Sequence, residues 1–462
     1  MIPVLFGTEI LKYRDEILKD LADLIAVPSV RGEALPGKPF GEEPARALAM
    51  VLYKAQKMGL AVKNVDNYAG HAEYGSGNEA AAVAAHVDVV PAGEGWDSDP
   101  FTLTRKGNLY FGRGTADDKG AAVVALYCLK ALKDAGVKGN RRLRVIFGSG
   151  EETGMEDLHY YFQKEEMPVM GFTPDSDYGI CNREKGILRL NLLSKEKQPS
   201  VIKELEAGVV YNAVPDHART VLSCSGQSAD ALKEAAKTAQ GEFTFKSVPD
   251  GLQIVSKGKA AHAMQPQSGF NAAAALIRLL SSVFSPEELG AFCSFLDQSI
   301  GFCYDGSGIG VQQSDEQSGP LTLNLGILRL ENGQAKAGID IRYPVTSDGG
   351  PIFSEISRRA EEAGLSAELL EDGKPLYLPG DSKLISILQD SYACVTGKPA
   401  ELYATGGGTY ARAMKGNAVA FGPFFPDEPD RRLHNTNESI DIDRFMIHAQ
   451  ICLEAMYRML TA

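Results

Sequence analysis

The stretch AVAAHVDVVPAGEGWDSDPFTLTRKGNLYFGRGTADDKG, residues 82–120, joins an apolar run to a group of polar side chains. His86 and Asp88 are two residues apart in this run, and in a strand that spacing places both side chains on one face. A turn-rich connection leads to the adjacent carboxylates Asp117 and Asp118. Because ligand sites in α/β sheets lie where strands give way to loops, an imidazole and several carboxylates here indicate a divalent metal. The pattern His-x-Asp is weak alone, so a strand end followed by an acidic turn stays an alternative at this point.

Length and composition indicate a multidomain globular protein. A chain of 462 residues is too long for one ordinary core, so two or more domains are expected. Its 44% hydrophobic and 23% charged residues are typical of soluble globular proteins. The formal net charge of −13 argues against nucleic acid and against anionic membrane as the main partner.

The cysteines and the N-terminal sequence indicate a cytoplasmic protein. The cysteines are odd in number, widely spread and without a Cys-x-x-Cys pair, as expected for reduced thiols. The N-terminal sequence lacks the charge and apolar core of a signal peptide. No apolar run approaches membrane-spanning length, so no membrane partner is expected.

Hydrophobic periodicity predicts an α/β domain interrupted by an inserted α+β domain. Strands and helices alternate over residues 1–184, which form the first part of the α/β domain. The rhythm changes over residues 185–380, the inserted domain. Residues 381–462 return to α/β character and complete the α/β domain. Within the inserted domain, a strand is predicted at residues 208–211.

Acids or histidines stand next to predicted strand ends in several separate segments. They are His86/Asp88, Asp117/Asp118, Glu151/Glu152, Asp175/Asp177 and His434. Two cations need several nitrogen and oxygen ligands and one shared carboxylate. So many such segments on one predicted sheet edge therefore indicate a dinuclear metal site.

The order of these motifs resembles a known family. HVDVVPAG, GRGTADDKG, EETG, FTPDSD and a late LHNTNE are similar to the motifs of the co-catalytic metallopeptidases, which include carboxypeptidase G, aminoacylase and the PepV-type dipeptidases. The resemblance covers essentially the whole chain. It implies that the α/β domain is a catalytic domain with a mixed sheet and flanking helices, and that the inserted α+β domain, residues 185–380, is a lid. It implies a hydrolase with two divalent metal ions, Zn²⁺ in the first place, although oxygen-rich sites also accept Mn²⁺ or Co²⁺.

The resemblance also implies a role for each matching residue of the catalytic domain. His86 and Asp175 would bind one metal, His434 and Glu152 the other, and Asp117 would bridge both.

Two further acids receive roles beside the metals. Glu151 would be the general base, and Asp88 would orient the imidazole of His86. One departure from the family pattern is the sequence PDSDYG, which lacks the usual aromatic-proline pair. Asp177 therefore competes with Asp175 for the metal, and we keep Asp175 because its Pro-Asp context matches the family.

The lid and the loop after it supply the candidate substrate-binding residues. GKAAHAMQPQSGFNA resembles the family's lid motif and implies that His262 stabilises the developing oxyanion. Arg342 and Asn212 are candidates for holding a substrate carboxylate. The backbone N–H groups of Gly407 and Gly408 could approach the same carboxylate, with an ordinary flexible loop as the competing interpretation.

The size of the lid favours one branch of the family. Residues 185–380 exceed the single lobe of members that dimerise, so the lid resembles the doubled lid of the PepV-type dipeptidases, and a monomer is expected. The resulting hypothesis is a broad-specificity dipeptidase acting on small peptides. The alternatives are a deacylase or desuccinylase of N-acyl amino acids on the same fold, and a non-catalytic descendant that binds metal or peptide.

Overall fold

The computed structural model describes residues 5–195, 201–331 and 333–462. The chain falls into two compact units. The first unit comprises the chain up to Asn182 together with Leu376–Tyr403 and Gly408–Ala462, and the second comprises Arg183–Pro375 and Ala404–Gly407. The sequence analysis predicted a lid from residue 185 to residue 380 and assigned the short segment Ala404–Gly407 to the catalytic domain.

The first unit is built on a mixed sheet whose central strands are parallel. Its strands, in spatial order, are Ala61–Val65, Ala69–Gly75, Arg142–Gly148, Ala80–His86, Met170–Thr173, Ala418–Ala420, Ile180–Glu184 and Leu376–Tyr377, and Leu402–Thr405 also pairs with Ile180–Glu184. Two small sheets accompany this sheet. In one, Ser176–Asp177 pairs with Pro423–Phe424. In the other, Leu109–Phe111 lies between Thr104–Lys106 and Ser439–Asp441.

The register of the parallel strands brings their carboxyl ends to one edge. Ala80–His86 pairs in parallel with Arg142–Gly148, with His86 opposite Gly148. On its other side the same strand pairs in parallel with Met170–Thr173. Every residue of Ala80–His86 is buried, which explains its continuous Ala/Val composition, because a parallel strand covered on both faces has no solvent side.

Helices cover this sheet and complete the first core. They are Arg14–Ile25, Glu42–Lys57, Lys119–Asp134, Glu156–Lys164, Lys383–Thr396 and Ile442–Thr461, with the 3₁₀ segments Phe6–Tyr13, Glu151–Thr153 and Tyr410–Met414. The helix Lys119–Asp134 is buried over most of its length, which explains why its sequence is apolar on all sides and not only along one stripe. The first helical stretch begins as the 3₁₀ segment Phe6–Tyr13 and continues into the α-helix Arg14–Ile25.

The second unit is built on an antiparallel sheet of eight strands. In spatial order they are Glu242–Val248, Gly251–Lys257, His217–Leu222, Ile202–Ala207, Thr322–Glu331, Gln334–Tyr343, Gly186–Ser194 and Leu365–Gly373. The pairing of Ile202–Ala207 with Thr322–Glu331 joins two four-stranded halves into one sheet. The helices are Gly226–Ala236, Ala272–Ser281, Pro286–Ser299 and Gly349–Glu362.

The predicted fold class is confirmed, with local differences. An α/β unit with a mixed sheet is interrupted by a unit of antiparallel strands and helices. The predicted strand at residues 208–211 is wrong, since the strand ends at Ala207 and Gly208 takes a left-handed conformation with φ +61°. Among the described residues, no helix is long and apolar enough to cross a membrane.

The N-terminus of the helix Ala272–Ser281 yields a test of the second unit's stability. The buried side chain of Asn271 accepts hydrogen bonds from the backbone N–H groups of Ala273 (3.0 Å) and Ala274 (3.1 Å) and donates to the carbonyl of Leu325 (2.9 Å). Asn271→Ala removes the cap and leaves buried groups without partners. We expect a loss of about 2–3 kcal/mol in the free energy of unfolding, measured by urea denaturation.

A matched control is the exposed cap of the helix Gly226–Ala236. The hydroxyl oxygen of Ser225 accepts the backbone N–H of Ser228 at 3.2 Å and lies 3.1 Å from the hydroxyl of the same residue. Ser225→Ala should cost about 1 kcal/mol or less, because water can replace the lost partner. Equal losses for the two variants would show that burial of Asn271 contributes nothing.

Candidate metal centre

The parallel strands of the first unit place three chain segments side by side. His86 is the last residue of Ala80–His86, and the backbone N–H of Val87 donates to the carbonyl of Gly148 (2.9 Å) on the neighbouring strand. The 3₁₀ turn Glu151–Thr153 follows that strand, and Asp175 follows Met170–Thr173. Adjacent parallel strands that end at one edge therefore bring an imidazole and carboxylates together from positions distant in sequence.

Asp117 lies between the two predicted histidine ligands. Its Oδ1 is 2.9 Å from Nε2 of His86, and its Oδ2 is 3.1 Å from Nε2 of His434. The same Nε2 of His434 lies 3.1 Å from Oε2 of Glu152. One carboxylate that faces a different imidazole with each oxygen has the arrangement that a ligand shared by two cations needs.

The remaining predicted ligands complete this cluster. Ligand atoms of His86, Asp117 and Glu152 lie within 4.8 Å of one another, and so do those of His86, Glu151 and Asp175. Glu151, predicted as the base, is thus close enough to belong to a ligand group itself.

Asp177 occupies a different place from Asp175. It belongs to neither ligand group, and its exposed side chain lies in the short strand paired with Pro423–Phe424. It lines an open pocket of about 480 Å³ together with Tyr403, Phe424 and Leu433, among others. The geometry therefore favours Asp175 over Asp177 as a ligand and leaves Asp177 on the wall of the adjoining pocket.

Crowding of buried acids dominates the electrostatics of the cluster. Burial, reinforced by the neighbouring Asp117 carboxylate, raises the pKa of Asp175 to about 7. Burial also raises the pKa of Glu151 well above its ordinary value. Hydrogen bonds to Asp117 and Glu152 raise the pKa of His434 to about 11. The raised pKa values of the two acids reflect buried, crowded negative charge, which bound cations would relieve.

The donor set fits two divalent cations. It combines imidazole nitrogens with several carboxylates, which suits zinc and also manganese or cobalt. Asp118 is a further buried acid beside this donor set. Its Oδ2 accepts the N–H of His86 (3.2 Å), and its Oδ1 has no hydrogen-bond partner among the described residues. So many buried carboxylates need positive charge beside them, and this requirement supports bound metal.

Asp88 has a wider role than the one predicted from sequence. Its backbone carbonyl lies 3.0 Å from Nδ1 of His86 and its Oδ1 lies 3.4 Å from the same atom. Its carboxylate also accepts the backbone N–H groups of Glu151 (3.2 Å) and Glu152 (3.1 Å). Asp88 therefore holds the imidazole and the turn that carries the candidate base.

Glu438 was missed by the sequence analysis. It is fully buried and accepts hydrogen bonds from Arg113 and from backbone N–H groups of the turn that ends at Asp117. A signal was present, since Glu438 is the last residue of the LHNTNE motif that contains His434.

The second unit brings its own candidate residues together. Arg342 is opposite Thr322 in the paired strands, and the Thr322 hydroxyl donates to the carbonyl of Ala263 (3.1 Å). The N–H of Ala263 donates to the carbonyl of Asn212 (2.9 Å), beside His262. Arg342, Asn212 and His262, predicted from three separate motifs, therefore occupy one region of the second unit.

Arg342 is buried and already bound by an acid. Its Nε and Nη2 donate to the two oxygens of Asp340 (2.6 and 3.0 Å), and its Nη1 donates to the carbonyl of Gly406 (2.7 Å). A guanidinium carries five N–H donors, and these contacts to described residues use three of them. Asp340 was not predicted, although it shares the strand face of Arg342 at a spacing of two.

A backbone hydrogen bond to Nδ1 of His262 indicates which ring nitrogen carries the proton in the neutral imidazole. Its side chain is exposed, and its Nδ1 accepts the backbone N–H of Met264 (3.2 Å). In the neutral ring this assigns the proton to Nε2.

The glycine loop is divided between the units. The N–H of Gly407 donates to the hydroxyl of Thr405 (3.1 Å), so it is engaged rather than pointing at open space. Gly408 belongs to the first unit, next to the side chain of Arg412.

The raised pKa of Asp175 generates a test on the metal-free protein. Its folded value of about 7 lies above the ordinary 3.8, so between these values the folded state binds more protons than the unfolded chain. The stability of the folded state therefore falls as pH rises from about 4 to about 7. Asp175→Asn should raise the free energy of unfolding by about 2 kcal/mol at pH 8 and change it little at pH 4, measured by urea denaturation with a chelator present.

The same variant should bind Zn²⁺ more weakly, because an amide is a poorer ligand than a carboxylate. Asp177→Asn is the matched control and should leave Zn²⁺ affinity unchanged. If Asp177→Asn weakened Zn²⁺ binding and Asp175→Asn did not, the two acids would have to exchange places in the site.

Comparison with known proteins identifies the family. The profile of Peptidase family M20/M25/M40 matches residues 82–458. A Bacillus subtilis (strain 168) protein named "Putative dipeptidase YtjP" is 36% identical over 465 residues, which cover 98% of each chain. A Staphylococcus saprophyticus protein named "Putative dipeptidase SSP1012" is 33% identical, covering 97% of this chain and 98% of the other.

Solved structures share the fold at low sequence identity. Human carnosine dipeptidase 1 matches with a TM-score of 0.62 and 14% identity over 98% of each chain. The di-peptidase Dug1p of Saccharomyces cerevisiae matches with a TM-score of 0.58 and 15% identity over 99% of each chain. The chain belongs to Peptidase family M20/M25/M40 and is a peptidase.

Proposed function

We propose that this peptidase is a metal-dependent dipeptidase that hydrolyses unblocked dipeptides with broad specificity. The observation that carries the proposal is the carboxylate of Asp117, whose oxygens face Nε2 of His86 and Nε2 of His434 at 2.9 and 3.1 Å. Relatives named as dipeptidases, which align over nearly the whole chain, support the substrate class.

Five residues are proposed as ligands of two divalent cations, with Zn²⁺ first and Mn²⁺ or Co²⁺ as alternatives. They are His86 and Asp175 for one cation, His434 and Glu152 for the other, and Asp117 for both. When bound, the cations would lower the pKa of a shared water and polarise the scissile carbonyl.

Glu151 is proposed as the general base. Its backbone N–H is held by Asp88, which fixes the start of the turn, and burial raises the pKa of its side chain well above the ordinary value. A carboxylate with a raised pKa accepts a proton from water more readily and can then deliver it to the departing amine. Asp88 acts through the imidazole of His86 and through this turn.

The second unit is proposed to bind the ends of the substrate. The Nε2–H of His262 would donate to the oxyanion, because Nδ1 is occupied by the N–H of Met264. Arg342, held by Asp340, would receive the C-terminal carboxylate with a side-chain hydrogen bond from Asn212. Gly407 and Gly408 are proposed to approach the same carboxylate, which requires the N–H of Gly407 to leave Thr405.

A cellular location and an assembly state are also part of the proposal. We propose a cytoplasmic enzyme that acts as a monomer, because the eight-stranded sheet doubles the single lobe through which other members pair. Sedimentation of the purified chain would test the second point.

Replacing the base tests the mechanism. Glu151→Gln should lower kcat by about 10²–10⁴-fold, because the amide cannot accept the proton of the water. Zn²⁺ stoichiometry and affinity should stay as in the wild type, measured by chelator competition. A large loss of Zn²⁺ affinity would instead assign Glu151 to the ligands, an arrangement that its proximity to His86 and Asp175 allows.

A substrate panel tests the substrate class. With Zn²⁺, Mn²⁺ and Co²⁺ in turn, unblocked dipeptides should be cleaved, whereas dipeptides amidated at the C-terminus should show a KM raised about tenfold or more, because Arg342 loses its carboxylate partner. N-acetyl and N-succinyl amino acids should be poor substrates. Cleavage of these acylated amino acids without cleavage of dipeptides would favour the deacylase alternative, and Zn²⁺ binding without any turnover would favour a non-catalytic protein.

A further inference from the structure

We propose that Glu438 is the positioning residue for the bridging carboxylate of Asp117, and that it fixes Asp117 and His434 relative to each other. This inference rests on the metal-dependent site proposed above. Glu438 is not among the proposed metal ligands; it acts through the backbone of the turn that carries Asp117.

The carboxylate of Glu438 binds one short turn from several sides. Its Oε1 accepts the backbone N–H groups of Ala116 (2.8 Å), Asp117 (3.1 Å) and Gly114 (3.1 Å). Its Oε2 accepts the same N–H of Gly114 (3.1 Å) and Nη1 of Arg113 (2.6 Å). The N–H of the bridging residue itself is therefore bonded to Glu438.

The turn depends on such a partner. Residues 112–118 form neither helix nor strand, yet Gly114, Ala116 and Asp117 are buried, so their N–H groups cannot turn to water. Gly114 has φ +89°, a left-handed conformation that lets neighbouring N–H groups converge on one acceptor. A carboxylate, with two acceptor oxygens and a negative charge, can take all of these donors at once.

The main chain of Glu438 extends the same link. Its carbonyl accepts the N–H of Gly112 (3.1 Å), so backbone and side chain together hold the whole turn. The preceding residue, Asn437, accepts the N–H of Asp97 (2.9 Å) through its side-chain oxygen. The segment is thus fixed to the rest of the first unit at two successive residues, Asn437 and Glu438.

His434 is four residues before Glu438 in this segment. Its side chain is 58% exposed, so the position of its imidazole is set by the backbone more than by surrounding packing. Glu438 therefore links Asp117 to His434. It holds Asp117 by hydrogen bonds to the turn and His434 through the short chain segment between them. A small shift of Glu438 would change the distances from Asp117 to His86 and to His434 together.

Arg113 neutralises the buried carboxylate. Its guanidinium is 1% exposed, lies over the ring of Trp96 at 5.3 Å, and its Nη2 is 3.3 and 3.4 Å from the carbonyls of Pro91 and Ala92. Arg113 pairs with Oε2 of Glu438, whereas the N–H of Asp117 bonds to Oε1. We therefore expect Glu438 to act on the site mainly by fixing positions and less through its charge. Removing that charge would leave Arg113 buried without a counterion.

The test replaces Glu438 by Gln, which keeps the shape but turns an amide towards Arg113 and loses one acceptor oxygen. Glu438→Gln should weaken Zn²⁺ binding by about 10–100-fold, measured by competition with a chromophoric chelator. It should also alter the visible absorption of the Co²⁺-loaded protein, which reports ligand geometry. With Zn²⁺ saturating, kcat should fall while KM for a dipeptide stays near the wild-type value.

Glu454 provides a matched control in the same unit. It is 4% exposed and likewise accepts a backbone N–H, from Gly7 (3.0 Å), and an arginine, Nε of Arg458 (2.9 Å). Glu454→Gln should lower Tm to a similar extent as Glu438→Gln but leave Zn²⁺ affinity and the Co²⁺ spectrum unchanged. If both variants lose only Tm, Glu438 is a structural residue and the inference is overturned.

A second variant keeps the test decisive if Glu438→Gln does not fold. Glu438→Asp retains the charge and the pairing with Arg113 but shortens the side chain, so it should fold, with weakened Zn²⁺ binding and a changed Co²⁺ spectrum. Wild-type values for both readouts would contradict the inference. Failure of the dipeptidase proposal is recognised separately, as Zn²⁺-loaded wild-type protein that cleaves no dipeptide.

Discussion

The site depends on several carboxylates being held in one buried place where their charges repel. Asp117, Glu151, Glu152 and Asp175 lie around one imidazole, His86, and burial opposes the ionisation of three of these acids. Such crowding is costly in a metal-free fold, because each charged oxygen loses water without gaining a full counterion. Bound cations would supply the missing positive charge, so the crowding that destabilises the metal-free fold is also what makes this cluster a candidate metal site.

Other buried carboxylates hold these repelling acids in place by accepting hydrogen bonds from the backbone N–H groups of their turns. Asp88 holds the N–H groups of Glu151 and Glu152, and Glu438 holds the turn ending at Asp117. Asp157 accepts the N–H of Gly150 (2.8 Å) and the hydroxyl of Tyr410, just before the same acidic turn. Charge-assisted hydrogen bonds of this kind fix loops more firmly than neutral ones, and they are made here at the strand ends that carry ligands.

The second unit uses the same device with the opposite sign. Arg342 is the cation, and Asp340 holds it through two hydrogen bonds, while Arg189 donates to the same carboxylate (3.0 Å). The guanidinium is thereby held in one orientation, and its contact with Gly406 ties that residue to the sheet. Both units thus carry a charged candidate site residue whose position is fixed by a buried partner of opposite charge or by backbone donors.

The sequence by itself determined the family, the alternation of strands and helices, the insertion and the ligand candidates. It could do so because strand ends, glycine turns and acidic motifs leave local signals, and because the order of the motifs is distinctive. The tertiary structure decided which side chains meet: Asp117 between His86 and His434, Asp175 rather than Asp177 beside His86, and Asp88 on the turn of Glu151. It also revealed Glu438 and Asp340, whose partners are backbone groups or a neighbouring strand residue. Asp340 lies two residues from Arg342 on the same strand face, so its spacing was a signal in the sequence. The backbone contacts of Glu438 leave no such pattern, because they join residues more than 300 positions apart.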